Sequence, residues 1–293
     1  MNEKEQKRQA VIAASNLDTL AIRAGHMRSM EGENSEPIYP TSSYVFDSAA
    51  QAAARFSGEE EGNVYSRYTN PTVRNFEQRI AAMEGGEAAV ATASGMAAIL
   101  STCMSLLQAG DHVVCVAKPY GWTTKLLDNI LGRFGVETSY IDGRGIENWK
   151  QAIRPNTRLF MLESPNSGTF EQQDITAVAQ LAKANDIVTV IDNSYATPLN
   201  QRPLDMGIDI SVHSASKYLN GHGDVIAGVL CCSKAMYAHI FAGEFMTLGG
   251  IISPNDAWLM LRGLRTLQLR MNRVAETTPK IVSYLQKHPK VAR

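Results

Sequence analysis

Cysteine is scarce in this 293-residue sequence, with four in all: Cys103, Cys115, Cys231 and Cys232. None has zinc-ligand spacing and no histidine cluster stands beside them, so neither a metal site nor a disulfide framework is expected. Small buried hydrophobes in a reducing compartment fit them better. An excess of charge of either sign is also lacking, since 28 basic and 29 acidic residues leave a formal net charge of −1. That balance gives no reason to expect nucleic acid or a membrane surface as partner. No apolar run approaches the length of a membrane span. The opening MNEKEQKRQA is polar and mixed in charge, without the apolar core of a secretion signal. Repeats and low-complexity tracts are missing too. With 44% hydrophobic and 19% charged residues, the chain is expected to be a soluble cytoplasmic protein with one large domain and smaller pieces.

What is present is regular punctuation. Residues 1–62 show no strong periodicity and contain Pro37, Pro40 and the acidic run Glu59-Glu60-Glu61, so an extended arm that needs another surface is expected there. Asn70-Pro71-Thr72 then opens a helix carrying Val73, Phe76, Ile80 and Met83, and Gly85-Gly86 closes it. The strand AAVATA, a helix from Gly95 to Leu107, a turn at Gly110-Asp111 and the strand HVVCVA follow. The alternation continues through a helix from Thr123 to Phe134, strand VETSYI, a helix through Trp149, strand RLFMLE and a helix from Ile175 to Ala184. Strands IVTVID, DISVHS and VIAGVLCC come next, and the strands as a set are read as apolar on both sides. This pattern predicts an α/β fold, a mostly parallel sheet flanked by helices on both faces. From Pro254 the pattern is helical, without the strands a second domain needs.

Ligands of parallel α/β sheets gather beyond the carboxyl ends of the strands, and four features fall there. Ser94-Gly95-Met96 offers backbone N–H groups at a helix start to an anion. Glu163 ends RLFMLE and Asp192 ends IVTVID. Ser214, Ser216 and Lys217 follow DISVHS. Each is ordinary alone: Ser-Gly is a common helix cap, a strand-end aspartate a common turn former, a lone lysine a solvated surface residue. Together and in this order they are the parts of a pyridoxal phosphate site, which needs a lysine for a Schiff base, a carboxylate for the pyridine nitrogen and donors for the phosphate.

The stretch DISVHSASKYLNGHGDVIAG resembles the lysine-bearing signature of the pyridoxal-phosphate-dependent transsulfuration family of cysteine and methionine metabolism. The resemblance takes in NVYSRYTNPTVRNFEQRIAAMEGGEAAVATASGMAAI, KPYGWT, LESPNSGTF, VIDNSYATPLNQRPLDMGIDISVHSASKY and LRGLRTLQLRM. It implies the fold-type I architecture of aspartate aminotransferase-like enzymes. It also implies a small amino-acid substrate, such as a sulfur amino acid or activated homoserine, with a carbon–sulfur bond formed or broken. By position, Lys217 matches the Schiff-base lysine, Asp192 the partner of the pyridine nitrogen, and Tyr120 the tyrosine that stacks on the ring and helps proton transfer. Ser94, Gly95, Met96, Ser214 and Ser216 match the phosphate-binding groups. Tyr65 and Arg67 match the pair that reaches a neighbouring subunit's phosphate, which implies a homo-oligomer, a dimer at least and by family habit a tetramer.

The departures are informative. Trp122 stands where relatives often carry a small residue. Ser167-Gly168 stands where many have Asn-Pro, so Ser167 is expected to fill the asparagine's place near the ring oxygen poorly, or Asn166 to substitute. The Ser pulls toward the cystathionine β-lyase branch, while the N-terminal third pulls toward O-succinylhomoserine sulfhydrylase. The domains expected are an arm over residues 1–62, a cofactor-binding domain over 63–255, and the start of a largely absent C-terminal domain over 256–293. That domain carries the family's carboxylate-gripping arginine, so a truncated cofactor-binding fragment without turnover is the alternative. A third reading, an unrelated anion-binding α/β domain built on Ser94-Gly95, explains far fewer residues.

Overall fold

The computed structural model describes residues 3–25 and 32–292. Its centre is a seven-stranded sheet: β1 (Ala88–Thr92), β2 (His112–Val116), β3 (Glu137–Ile141), β4 (Thr157–Glu163), β5 (Val188–Asp192), β6 (Ile210–His213) and β7 (Gly228–Cys232), in the order β1-β7-β6-β5-β4-β2-β3. Only β7 runs antiparallel, against both β1 and β6. The carboxyl ends of the other six strands therefore share one edge.

Side-chain alternation splits the core into two layers. On β1 and β7, Val90, Leu230 and Cys232 face helices Gly95–Leu106 and Lys234–Ile240, while Ala89, Ala91, Val229 and Cys231 face helices Pro71–Glu84 and Pro254–Leu264. Phe76, Ile80 and Met83, recurring at helical spacing, are fully buried in the second layer. The Asn70 side chain starts that helix by accepting from the N–H groups of Thr72 (3.0 Å) and Val73 (3.4 Å), and Gly85, at φ 74°, ends it. All four cysteines are free and buried, and burial pushes the Cys103 and Cys232 thiols up to about 12.

Three sequence expectations need correction. The arm is not featureless, because Glu3–Ala13, Leu17–Arg23 and Ala49–Ser57 are helices. Ile12, Leu20, Ala21 and Ala24 join this chain's own second core layer, so the start of the arm is anchored on its own chain. The helix from Thr123 to Phe134 is broken into an α-helical turn (Gly121–Lys125), a π-helical stretch (Leu126–Leu131) and a 3-10 turn (Gly132–Phe134). Finally, β3 is an edge strand with Glu137 and Tyr140 exposed, so it is not buried on both faces. The expected helical ending is present as Pro254–Leu264 and Leu267–Gln286.

One half-buried carboxylate makes the fold pH-sensitive. Glu77 accepts the Ala91 N–H of β1 (2.9 Å), and burial pushes its carboxyl from 4.5 up to about 7, with the Ala91 bond and Arg74 acting in the opposite direction. The folded chain thus holds a proton that the unfolded chain releases. Stability from this group is gained as pH falls through that window and lost as pH rises through about 7. Glu77→Gln keeps an acceptor for Ala91 without the charge. It is expected to stabilise the protein by about 1–3 kcal/mol near pH 8 and by almost nothing near pH 4, read from melting curves. An equal effect at both pH values would contradict this.

Candidate active site

The shared edge brings the strand-end features together. After β1, Ser94 caps helix Gly95–Leu106: its hydroxyl accepts from Ala97 N–H (3.1 Å) and its carbonyl from Ala98 N–H (3.2 Å). The N–H groups of Gly95 and Met96 then have no acceptor among the described residues and point out of the helix start, where the dipole favours an anion. Ser214, after β6, packs against this turn so closely that a Cβ on Gly95 would sit 2.9 Å from the Ser214 Cα. Glycine is required there because the cradle is built by backbone approach.

On β4 and β5, Glu163 and Asp192 are side by side in register. Asp192 Oδ1 accepts from Ser194 N–H (2.9 Å), and the Ser194 hydroxyl oxygen accepts from Ser214 N–H (2.6 Å), tying the ends of β5 and β6 together. Glu163 is buried. Its Oε2 accepts from Tyr120 N–H (2.7 Å), and its Oε1 accepts the Ser167 N–H (2.6 Å) and hydroxyl. Burial, assisted by the Asp192 charge, pushes the Glu163 carboxyl up, while these hydrogen bonds draw it down.

Lys217 lies on the turn after β6, exposed, with its Nζ 5.5 Å from the centroid of the Tyr120 ring. The sequence separates these residues widely, and the sheet edge joins them. Ser216 is placed less simply: its hydroxyl turns back on the main chain, accepting from Ala227 N–H (2.9 Å) and facing the Ala227 carbonyl (3.2 Å). Tyr65 and Arg67 lie exposed just beyond the arm, where Arg67 Nη1 donates to the Met246 carbonyl (2.5 Å) and the guanidinium sits 5.9 Å from the Tyr65 ring centroid. Neither residue has a hydrogen bond to the Lys217 cluster among the described residues.

An aldehyde-capturing amine above an aromatic ring, a carboxylate one strand away and an anion cradle fit pyridoxal phosphate as a set. Residues 18–293 match the family model described as Cys/Met metabolism PLP-dependent enzyme. The chain belongs to this family. It is 46% identical over 277 residues to the O-succinylhomoserine sulfhydrylase of Pseudomonas aeruginosa, covering 94% of this chain and 68% of that protein. It is 44% identical over 279 residues to the L-methionine gamma-lyase of Fusobacterium nucleatum subsp. polymorphum, covering 94% and 71%. A crystal structure of a Campylobacter jejuni protein, assigned as an O-acetylhomoserine (thiol)-lyase and carrying a pyridoxyl-lysine phosphate, superposes with a TM-score of 0.89 at 32% identity, covering 95% of this chain and 77% of that one. Pyridoxal phosphate is thus the cofactor of this Cys/Met metabolism enzyme, and the fold is fold-type I.

Within that family setting, two residues of the site had no assigned role in the sequence. Glu163 was visible only as a strand-end carboxylate, yet it tethers Tyr120 through the main chain. Ser194 was not singled out at all, although Asp192-Asn193-Ser194 is the spacing of an aspartate turn. Ser167 and Asn166 are both committed: Ser167 to Glu163, and buried Asn166 to the Lys118 carbonyl (2.9 Å) and the Gly168 N–H (3.1 Å). Trp122 is exposed beside Tyr120, with Lys125 Nζ 4.3 Å from its ring centroid. Among the described residues no group of three or more His, Cys, Asp or Glu could hold a metal, and no described helix is long and apolar enough to cross a membrane.

Proposed function

We propose that this enzyme forms or breaks the bond between sulfur and the γ-carbon of a four-carbon amino-acid skeleton, with Lys217 as the residue that takes the cofactor. The observation that carries this is the Lys217 ammonium over Tyr120 at the edge that also presents Asp192 and the Gly95–Met96 cradle. Two relatives named for O-succinylhomoserine and methionine support γ-chemistry over β-elimination. Bound pyridoxal phosphate supplies an aldehyde for a lysine and a ring that accepts the electron pair left by the departing α-proton. The Lys217 Nζ then moves protons at the substrate α- and β-carbons, both of which a γ-reaction requires and only the first of which a β-elimination needs. The Asp192 carboxylate holds the proton on the ring nitrogen. Ser94, Gly95, Met96, Ser214 and Ser216 bind the phosphate, with the Ser216 hydroxyl swinging off Ala227. Tyr120 stacks on the ring and assists proton transfer. Four free, buried thiols favour the cytoplasm.

An assay of the full-length protein tests the reading. Cystathionine, methionine, and O-succinylhomoserine with sulfide are the substrates to offer. Release of a four-carbon oxo acid, or sulfide incorporation into homocysteine, is expected. Pyruvate as the main product from cystathionine would instead place the chemistry at the β-carbon.

The oligomer follows from Tyr65 and Arg67, which we assign to the phosphate of a neighbouring subunit in a dimer at least, extending to a tetramer. A guanidinium meets phosphate oxygens in a bidentate fork, and both residues are exposed where a partner could reach them. Arg67→Ala is expected to weaken cofactor retention. Mixing it with Lys217→Ala chains is expected to restore at most about a quarter of wild-type activity, because half the dimers are hybrids and each hybrid has one intact site. Activity that stays at background after proven subunit exchange would place Arg67 in its own subunit's chemistry or in none.

A further inference from the structure

Behind the strand ends runs a buried polar chain that no step above uses. Glu84, at the end of helix Pro71–Glu84, is fully buried, as are Asn193 and His213. Asn193 Nδ2 donates to Glu84 Oε1 (3.0 Å) and to the Gln201 carbonyl (3.0 Å). His213 Nε2 meets the same Glu84 oxygen; with the carboxylate accepting from both, the imidazole donates from Nε2. Gln201 Nε2 closes the chain, donating to Asn193 Oδ1 (2.9 Å) and to the Ser164 carbonyl (2.7 Å).

Every anchor is the chain neighbour of a site residue. Ser164 follows Glu163 at the end of β4, Asn193 follows Asp192 at the end of β5, and His213 precedes Ser214 at the end of β6. Successive strand residues face opposite sides, so a side chain fixed on one side sets the position of its neighbour on the other. The turn beyond Asn193 is held just as firmly. Thr197, β-branched yet at φ 62°, keeps that left-handed backbone while its N–H donates to the Asn193 carbonyl (3.0 Å). Strain of this kind persists where the surroundings over-determine the backbone.

We infer that Glu84, Asn193, His213 and Gln201 are positioning residues that set Asp192 against the ring nitrogen of bound pyridoxal phosphate, with Glu84 as the hub. The inference rests on the role proposed for Asp192. Its energetic logic is that of a shared acceptor in a buried site: Glu84 Oε1 takes both the Asn193 and His213 bonds, so removing the hub strands two donors at once. Those donors then seek other partners, and the strand ends they hold shift with them.

The test reads the visible band of the lysine-linked cofactor in the full-length protein, independently of turnover. The pH midpoint of that band reports proton affinity at the lysine–cofactor nitrogen, which a protonated ring nitrogen lowers. Asp192→Asn is expected to move the midpoint upward. Glu84→Ala is expected to move it the same way, and Glu84→Gln, which keeps the Oε1 acceptor, to leave most of it in place. In an Asp192→Asn background, Glu84→Ala is expected to add no shift, because the cluster acts through Asp192. Equal shifts in both backgrounds, or a lowered melting temperature with an unmoved midpoint, would overturn the inference. Gln201→Met is near in volume, lacks both donated bonds, and is read identically if Glu84→Ala does not fold. An unmoved midpoint in Asp192→Asn itself would overturn the Asp192 assignment, and the positioning role with it, whereas a shift there without one in Glu84→Ala or Gln201→Met overturns the positioning role alone.

Discussion

Asp192→Asn is expected to lower turnover by on the order of 10²-fold or more while pyridoxal phosphate still binds. The local fold should survive the change, because the amide oxygen can accept the Ser194 N–H as Oδ1 does now. The cradle at Gly95 and Met96 is a backbone feature and is untouched. What disappears is the negative charge proposed to hold a proton on the ring nitrogen. A neutral ring accepts the electron pair from the α-carbon poorly, and an amide supplies no counter-charge. Cofactor content from absorbance and turnover from a coupled assay give the two readings. Near-normal turnover with full cofactor content would remove Asp192 from the chemistry.

Lys217→Ala is expected to abolish both turnover and the covalent link to the cofactor while the protein melts within about 0.5 kcal/mol of wild type. The side chain is exposed on a turn, and the turn is made by backbone bonds, Lys217 N–H to the Ser214 carbonyl (3.2 Å) and Gly221 N–H to the Lys217 carbonyl (2.8 Å). Alanine keeps both. Non-covalent binding through the anion cradle should remain, so the cofactor is expected to wash out on dialysis rather than fail to bind. A Lys217→Ala protein that retains the link after dialysis would mean that another amine holds it.

Much of this was legible in the sequence because parallel strands buried on both faces are unbroken apolar runs, and those runs end where the chemistry stands. Glu163 is the first polar residue after such a run, Asp192 ends the strand IVTVID, and Ser214 directly follows the last residue of β6. Lys217 and the Ser94-Gly95 turn gain weight from the same position. What the sequence hid is whatever depends on distant partners. The bonds of Glu84 to Asn193 and His213 span 109 and 129 residues, and the tether of Tyr120 to Glu163 spans 43. No local pattern encodes them. The arm was misread for a different reason. Its helix Ala49–Ser57 is alanine-rich and capped by Ser48, a propensity signal that outweighed the weak periodicity. The Leu126–Leu131 stretch carries helical spacing throughout, so periodicity alone could not reveal its wider π-helical winding.

The central claim is that Lys217 is the amine that holds pyridoxal phosphate, and borohydride reduction of the full-length holoenzyme followed by peptide mass spectrometry tests it most directly. Reduction should bleach the yellow protein and leave the pyridoxyl mass on the peptide containing Lys217. Lys118 is the natural competitor, since it follows β2 at the same sheet edge, whereas Lys234 starts the helix Lys234–Ile240 after β7. A pyridoxyl label on Lys118 or Lys234, with Lys217 unmodified, would contradict the account.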